Sequence, residues 1–374
     1  MGFSYCGTNV GGDGYSCGNW TDERTASAAH AFINNFFEEF PEYGKHDLYL
    51  SGESYAGIYI PTLARSILQD TSSSVKDRLR GFAVGDGCVG KEVLCGGERG
   101  PWFDILFMYG HGQFSTLLFN NIMATCGMTQ LTQGPITDSH CQDLLDQMSD
   151  EIGGYYAYNL YDECGAENVL GSKRFDWRAE SRRKSWGMIP STNPTSGYPC
   201  GGKISLPLSL LDGLFNTHVL THDTGTGAML KWLNHSDVKS ALNVPSGASF
   251  FLTDNGVGFN YELTEKNLMP FYRDVAENTN LRVLVYNGDT DPGINSFVSQ
   301  NWTVALGLDV KDKWRPWTLD GKTRMGGYVT SYEGDFQFLT IRGSGHMVPE
   351  FKPAAAFEFM RDWIQGEPFK PYKT

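Results

Sequence analysis

An α/β fold, with a mostly parallel central sheet and helices on both faces, is the class this sequence predicts. Three features predict it. Short apolar runs, Leu48-Tyr49-Leu50, Phe82-Ala83-Val84 and Val283-Leu284-Val285-Tyr286, read as buried strands. Amphipathic helical segments fall between them, the pattern of a parallel sheet built by crossovers. Each run then ends at a glycine-containing turn: Gly52-Glu53-Ser54, Gly85-Asp86-Gly87 and Asn287-Gly288-Asp289. With 374 residues, 40% of them hydrophobic, the chain can bury such a core.

Taken in order, Ala29, Phe32, Ile33, Phe36, Phe37 and Phe40 share one face of a helix, with Thr21 as N-cap and Pro41 as its stop. This helix is expected to pack on the sheet. The strand 48–51 follows, then a bend at Ser54. A helix then carries Ile58, Leu63, Ile67 and Leu68, with Pro61 in its first turns, where proline is tolerated. The strand 82–84 closes this part of the core. Residues 88–235 differ in texture. They hold Cys88, Cys95, Cys126, Cys141, Cys164 and Cys200, several glycine pairs and irregular apolar spacing. They read as an insertion or lid stapled by disulfides, with Arg182-Arg183-Lys184 in an exposed loop. Regular order resumes with the strand 283–286. A hairpin of 327–332 and 336–341 turns at Glu333-Gly334. A last helix presents Phe357, Met360, Trp363 and Ile364 and is closed by Gly366 and Pro368. The chain thus divides into a first core part (1–87), the lid region (88–235) and a second core part (236–374).

Composition narrows the function. A net charge of -13 is the wrong sign for a nucleic-acid partner. No apolar run reaches the length of a membrane span. The cysteines lack C-x-x-C spacing, so disulfides are favoured over zinc, though sequence does not choose the pairing. Sequons place candidate glycosylation sites at Asn19, Asn234 and Asn301. Together these features point to the secretory pathway, to a lysosome or vacuole or to the outside of the cell. Met1-Gly2-Phe3-Ser4-Tyr5 lacks the basic start and apolar stretch of a signal peptide, which predicts that the true N-terminus lies upstream. The residues call for no metal and no cofactor, and a homodimer is compatible with them.

In a parallel sheet the active groups gather at the carboxyl ends of strands. Ser54, the pair Asp289 and Asp291, and His346 stand there in that order. Ser…Asp…His is the chain order of α/β-hydrolases. The chemistry needs all three. A serine hydroxyl becomes nucleophilic when an imidazole takes its proton, and a carboxylate fixes that imidazole's tautomer and stabilises its charge. The bend reads G-x-S-x-A, with small residues at both flanking positions for a tight turn. The residues alone leave both aspartates as candidates for the acid.

At these positions the chain resembles the serine carboxypeptidase family. The matches are "GFSY" at 2–5, "FFEEFPEY" at 36–43, "LYLSGESYAGIYIPTLA" at 48–64, "FMYGHGQFS" at 107–115, "YNLYDEC" at 158–164, "LNHSDVKSALNVP" at 233–245, "LVYNGDTDPGINSF" at 284–297 and "GSGHMVP" at 343–349. The resemblance implies Ser54 as nucleophile, His346 as base and Asp291 as the triad acid, acting on the C-termini of peptides and proteins. It implies that Glu53 helps bind the substrate's free carboxylate. Two bare carboxylates repel, so one of them must carry a proton, which implies a preference for acidic pH. It also places Met347 at the pocket for the leaving residue.

The chain departs from the family in three places. The family's upstream N-G-G-P-G segment has no counterpart, since Gly11-Gly12-Asp13-Gly14 lacks the proline and lies on the other side of "GFSY". The family's proton-sharing glutamate for the Glu53 position is absent as well. Phe259 stands where the family has a cysteine. The sequence thus looks like the family without its first strands. The Tyr55 N–H remains as one oxyanion donor, and loss of a donor costs on the order of 100- to 1000-fold in rate. Two other readings stay open at this level. One is an inactive fragment or pseudo-enzyme with a binding or scaffold role. The other is an acyltransferase that resolves the same acyl-serine with an alcohol.

Overall fold

The computed structural model describes residues 19–95, 99–162, 231–248, 250 and 260–373. Cys6, Cys17, Cys164, Cys200, Gly11 to Gly14, Phe259 and the basic cluster Arg182-Arg183-Lys184 lie outside them. Strands are β1 (Asn19–Thr21), β2 (Leu48–Glu53), β3 (Leu79–Gly85), β4 (Asn260–Glu262), β5 (Arg282–Gly288), β6 (Val310–Thr318), β7 (Met325–Tyr332) and β8 (Phe336–Ile341). Helices are α1 (Asp22–Glu39), α2 (Ala56–Gln69), α3 (Trp102–Gly110), α4 (Thr116–Thr125), α5 (Met128–Gln133) and α6 (Ser139–Ile152). After them come α7 (Ser236–Ala241), α8 (Met269–Asn278), α9 (Ser296–Ala305), α10 (Val348–Phe351) and α11 (Pro353–Gln365).

The described residues fall into two compact units. In the smaller, β1 pairs in parallel with β4, with Asn19 opposite Asn260. There Asn234 accepts the Phe250 N–H at 2.7 Å and donates to the Phe250 carbonyl at 3.3 Å. The larger unit holds the main sheet, in the strand order β2-β3-β5-β8-β7-β6. β2, β3, β5 and β8 run parallel, and β7 is antiparallel to both of its neighbours. This is the α/β-hydrolase architecture that the sequence predicts.

Alternation along the strands builds a core on each face of the sheet. Phe82, Val84, Val283, Val285, Phe336 and Phe338 point to one side, against Ile58, Leu63 and Ile67 of α2 and Tyr272 and Val275 of α8. Ala83, Leu284, Tyr286, Leu339 and Ile341 point to the other, against Phe359 and Trp363 of α11. Burying each large apolar side chain contributes about 1.5–3 kcal/mol, which is why these strands read as continuous apolar runs.

Several expectations need correction. The buried stripe of α1 is Ala26 and His30, with Ala29, Ile33 and Phe37 packed against the same core. Phe32 and Phe40 face solvent. The helix lies on α2 rather than directly on the sheet. Pro61 is the sixth residue of α2, deeper than the first turn, so one helical hydrogen bond is missing there. On α11, Phe357 and Ile364 are exposed, while Ala355, Ala356, Phe359 and Trp363 form its inner face. Gly366 ends that helix in the left-handed conformation, as expected.

Between 102 and 152, where the apolar spacing looks irregular, the chain makes α3 to α6. Ile105, Phe107, Leu118, Ile122, Leu131 and Leu145 form a separate apolar cluster there. The Cys126–Cys141 disulfide ties α4 to α6, and Cys88–Cys95 closes a shorter loop after β3.

Candidate active site

The sharp turn at Ser54 is real. β2 ends at Glu53, α2 begins at Ala56, and Ser54 lies between them with φ of 65°. A non-glycine residue in that region is strained by on the order of 1–3 kcal/mol and persists only where its surroundings fix it. Here the Ser54 N–H donates to the Gly85 carbonyl at 2.9 Å, while the Gly57 and Cys88 N–H groups donate to the Ser54 carbonyl at 2.9 and 3.1 Å. Glycine is needed on each side of the turn, at 52 and at 57. A Cβ on Gly52 would stand 2.5 Å from the Ala56 Cβ, and one on Gly57 would stand 2.2 Å from the Cys88 carbonyl oxygen.

Tyr55 occupies the N-cap position of α2. Its hydroxyl donates to Asp22 Oδ1 at 2.7 Å. Asp22 Oδ2 in turn accepts the Thr264 and Glu265 N–H groups, each at 2.7 Å. The residue after the serine is therefore anchored at its far end to two distant segments.

The structure separates the two aspartates. Asp291 Oδ2 lies 2.7 Å from His346 Nδ1, and both residues are buried. The Gly293 N–H donates to Asp291 Oδ1 at 2.8 Å, which orients the carboxyl. Asp289 instead accepts the Gly343 N–H at 2.6 Å and so holds the base of the histidine loop. That loop is gripped from the other side by 158–160. The Tyr158 carbonyl accepts the His346 N–H at 2.7 Å, and the Tyr158 ring stands 5.4 Å from the imidazole. Burial disfavours the imidazolium. The charge and hydrogen bond of Asp291 and the charge of Glu53 more than offset it, so His346 holds its proton above the ordinary histidine range.

Glu53 is half-buried beside this pair. Burial raises its carboxyl above the usual range, and the Asp291 and Glu350 charges add to this. His346 and a hydrogen bond from the Val348 N–H pull the other way. Met347 is half-buried at the start of α10. Of the sequon asparagines, Asn19 and Asn301 are exposed, whereas the Asn234 amide is engaged with Phe250.

Asp291 and His346 are thus brought into contact, with Glu53 next to them. Among the described residues no hydrogen bond joins the Ser54 hydroxyl to the imidazole. Such bonds often close only around substrate. One residue that the sequence reading passes over also belongs to this cluster. Asp86, at the end of β3, is fully buried, and its carboxyl, the Asp291 carboxyl and a His346 ring nitrogen lie within 4.8 Å of one another. The strand-end rule that selects the other residues would also have found it.

Known proteins are similar to this chain in sequence and in fold. The serine carboxypeptidase family model matches residues 1–366. Serine carboxypeptidase-like 21 of Arabidopsis thaliana is 29% identical, over 98% of this chain and 73% of its own length. The lysosomal protective protein of Mus musculus is 31% identical, over 93% of this chain and 70% of its own. The fold is similar to that of a prohormone-processing carboxypeptidase of Saccharomyces cerevisiae, Kex1(delta)p. That likeness has a TM-score of 0.55 at 16% identity and covers 93% of this chain and 68% of that one. Among the described residues no helix is long and apolar enough to cross a membrane. The chain belongs to the serine carboxypeptidase family.

Proposed function

We propose that the protein is a serine-type carboxypeptidase that releases C-terminal residues from peptides and proteins through an acyl-serine intermediate. The observation that carries this reading is the buried Asp291–His346 pair, 2.7 Å apart, at the sheet edge where Ser54 sits strained between strand and helix. Ser54 attacks the scissile carbonyl, and His346 takes its proton and returns it to the leaving amino acid. Asp291 stabilises the imidazolium. The Tyr55 N–H serves as an oxyanion donor.

Glu53 recognises the terminal carboxylate. Its raised pKa lets it keep a proton where an ordinary glutamate would lose it, and a protonated carboxyl can donate to a carboxylate. The two titrations are coupled. A proton on Glu53 removes one of the charges that hold the proton on His346, while the docked carboxylate brings a charge of its own, so the two groups titrate together. The family relatives, the disulfides and the sequons support a place in the secretory pathway, lysosome or vacuole.

The test is labelling by a serine-directed phosphonate, followed by turnover of a blocked dipeptide in the presence of an alcohol. Labelling at Ser54, with release of the free amino acid and of the blocked residue as its free acid, supports the reading. Absence of labelling would leave a binding protein, and acyl product formed mainly on the alcohol would make the protein a transferase.

A further inference from the structure

The Asp86 carboxyl is held by an asymmetric set of partners. Its Oδ1 accepts the Asn287 side-chain N–H at 2.8 Å and the Gly288 N–H at 2.9 Å. Its Oδ2 is buried with no donor facing it among the described residues. An Asp86 carboxyl oxygen lies within 4.8 Å of an Asp291 carboxyl oxygen and of a His346 ring nitrogen, so the nearest acidic neighbour is another carboxyl, that of Asp291. Two carboxylates in one dry site repel strongly, and one proton between them replaces the repulsion by a hydrogen bond.

We propose that Asp86 is a positioning residue for the triad acid, a neutral carboxylic acid that donates from Oδ2 to the Asp291 carboxylate and fixes the angle at which Asp291 meets His346 Nδ1. The proton stays between the two carboxyls throughout and takes no part in the chemical steps. The division of labour follows from the partners. Two N–H groups demand an acceptor at Oδ1, and a carboxylate demands a donor at Oδ2. Only a protonated acid, or an amide, offers both.

The surroundings favour this state from every side. Glu53 at the end of β2 and Asp291 after β5 both place negative charge near Asp86, and the ionisation of Tyr286 of β5 is pushed up by burial and by the charges of Asp86 and Glu53. His346 is the cation close by. Burial first, then the Asp291 charge, moves the Asp86 carboxyl well above the ordinary range, against the pull of the Gly288 N–H.

This inference rests on the proposed roles of Asp291 and His346, so its test includes a readout that needs no activity. Infrared difference spectra of the full chain at neutral pH compare wild type with Asp86→Asn. A protonated carboxyl C=O band, present in wild type and missing in the variant, is expected. Asp104, whose buried carboxyl is pushed up to about 6, is common to both proteins and cancels. A carboxylate band in its place overturns the proposal, whether or not the protein is an active peptidase.

The second readout is the rate of phosphonate labelling across pH. Asp86→Asn keeps both the acceptor and the donor, and is expected to stay within a few-fold of wild type. Asp86→Leu removes the donor and is expected to label roughly ten- to a hundred-fold more slowly. Equal rates in Asp86→Leu and wild type, or an Asn variant as slow as the Leu variant, would also overturn it. If wild type takes no label at all, the peptidase reading fails while the infrared result still decides the protonation of Asp86.

Discussion

Asp291 Oδ2 stands 2.7 Å from His346 Nδ1, with Asp291 0% and His346 6% exposed. In that dry contact the carboxylate determines which imidazole nitrogen carries the proton. Asp291→Asn offers an amide in its place, which no longer enforces the tautomer with a bare Nε2. Phosphonate labelling should slow by roughly 1,000- to 10,000-fold while the circular dichroism spectrum stays native. A variant that labels at the wild-type rate would remove Asp291 from the triad. Asp289→Asn, which touches the backbone N–H groups at the base of the histidine loop and not the imidazole, should cost far less.

Removing the Glu53 charge should shift the base. Glu53 raises the His346 pKa, so Glu53→Gln should move the acidic limb of phosphonate labelling to lower pH. Peptide cleavage should change with the opposite emphasis. The glutamine amide donates to the substrate carboxylate at every pH, so kcat/KM should fall less at neutral than at acidic pH. Superimposable pH profiles for variant and wild type would exclude Glu53 from both roles.

The leaving-residue pocket is predicted to be apolar. A thioether is adaptable and apolar, and burying an unpaired ammonium against Met347 is costly. Blocked dipeptides ending in Leu, Phe or Met should therefore give higher kcat/KM at acidic pH than those ending in Lys or Arg. The reverse preference would show that a carboxylate, with exposed Glu350 the first candidate, governs this pocket.

Gly57 is predicted to be intolerant of even one methyl group. In Gly57→Ala the new Cβ would stand 2.2 and 2.4 Å from the Cys88 carbonyl oxygen and nitrogen. Those backbone atoms are tethered by the Cys88–Cys95 disulfide and by the bond to the Ser54 carbonyl. The expected cost is about 1–3 kcal/mol in urea unfolding, with loss of phosphonate labelling. Unchanged labelling would mean that the elbow can relax without losing its geometry.

The strand ends were the most legible part of the molecule, because an apolar run, a glycine and a polar residue suffice to mark each one. The inner face of α1 was not. Phe32, Phe36 and Phe40 lie on a second apolar stripe beside Ile33 and Phe37, and composition does not say which stripe is buried. The structure packs Phe36 against Phe40 and Tyr43, with ring centroids 5.1 and 5.7 Å away, on the outer side. β6 escaped notice for a different reason. It is an edge strand, its first five residues are exposed, and it contains Pro316, which a central strand would exclude. Asp86 read as a turn residue because its burial is supplied by β5, some two hundred positions away along the chain. The choice of Asp291 over Asp289 comes from family resemblance, because nothing in the local sequence says that it is Asp291 whose carboxyl meets the His346 ring.

Asp22 accepts from the Tyr55 hydroxyl on one oxygen and from the Glu265 N–H, 243 positions later, on the other. On a ribosome adding about 5–20 residues per second, roughly 10–50 s separate the synthesis of these partners. Throughout that interval the nascent serine turn lacks the segment that secures it, and the inner faces of α1 and α2 lack α8 and β5. The way this elbow is tied down thus makes its final geometry wait for a segment synthesised late. A slowed translation, or one interrupted before Glu265, should raise the share of chain that aggregates rather than reaching the native elbow.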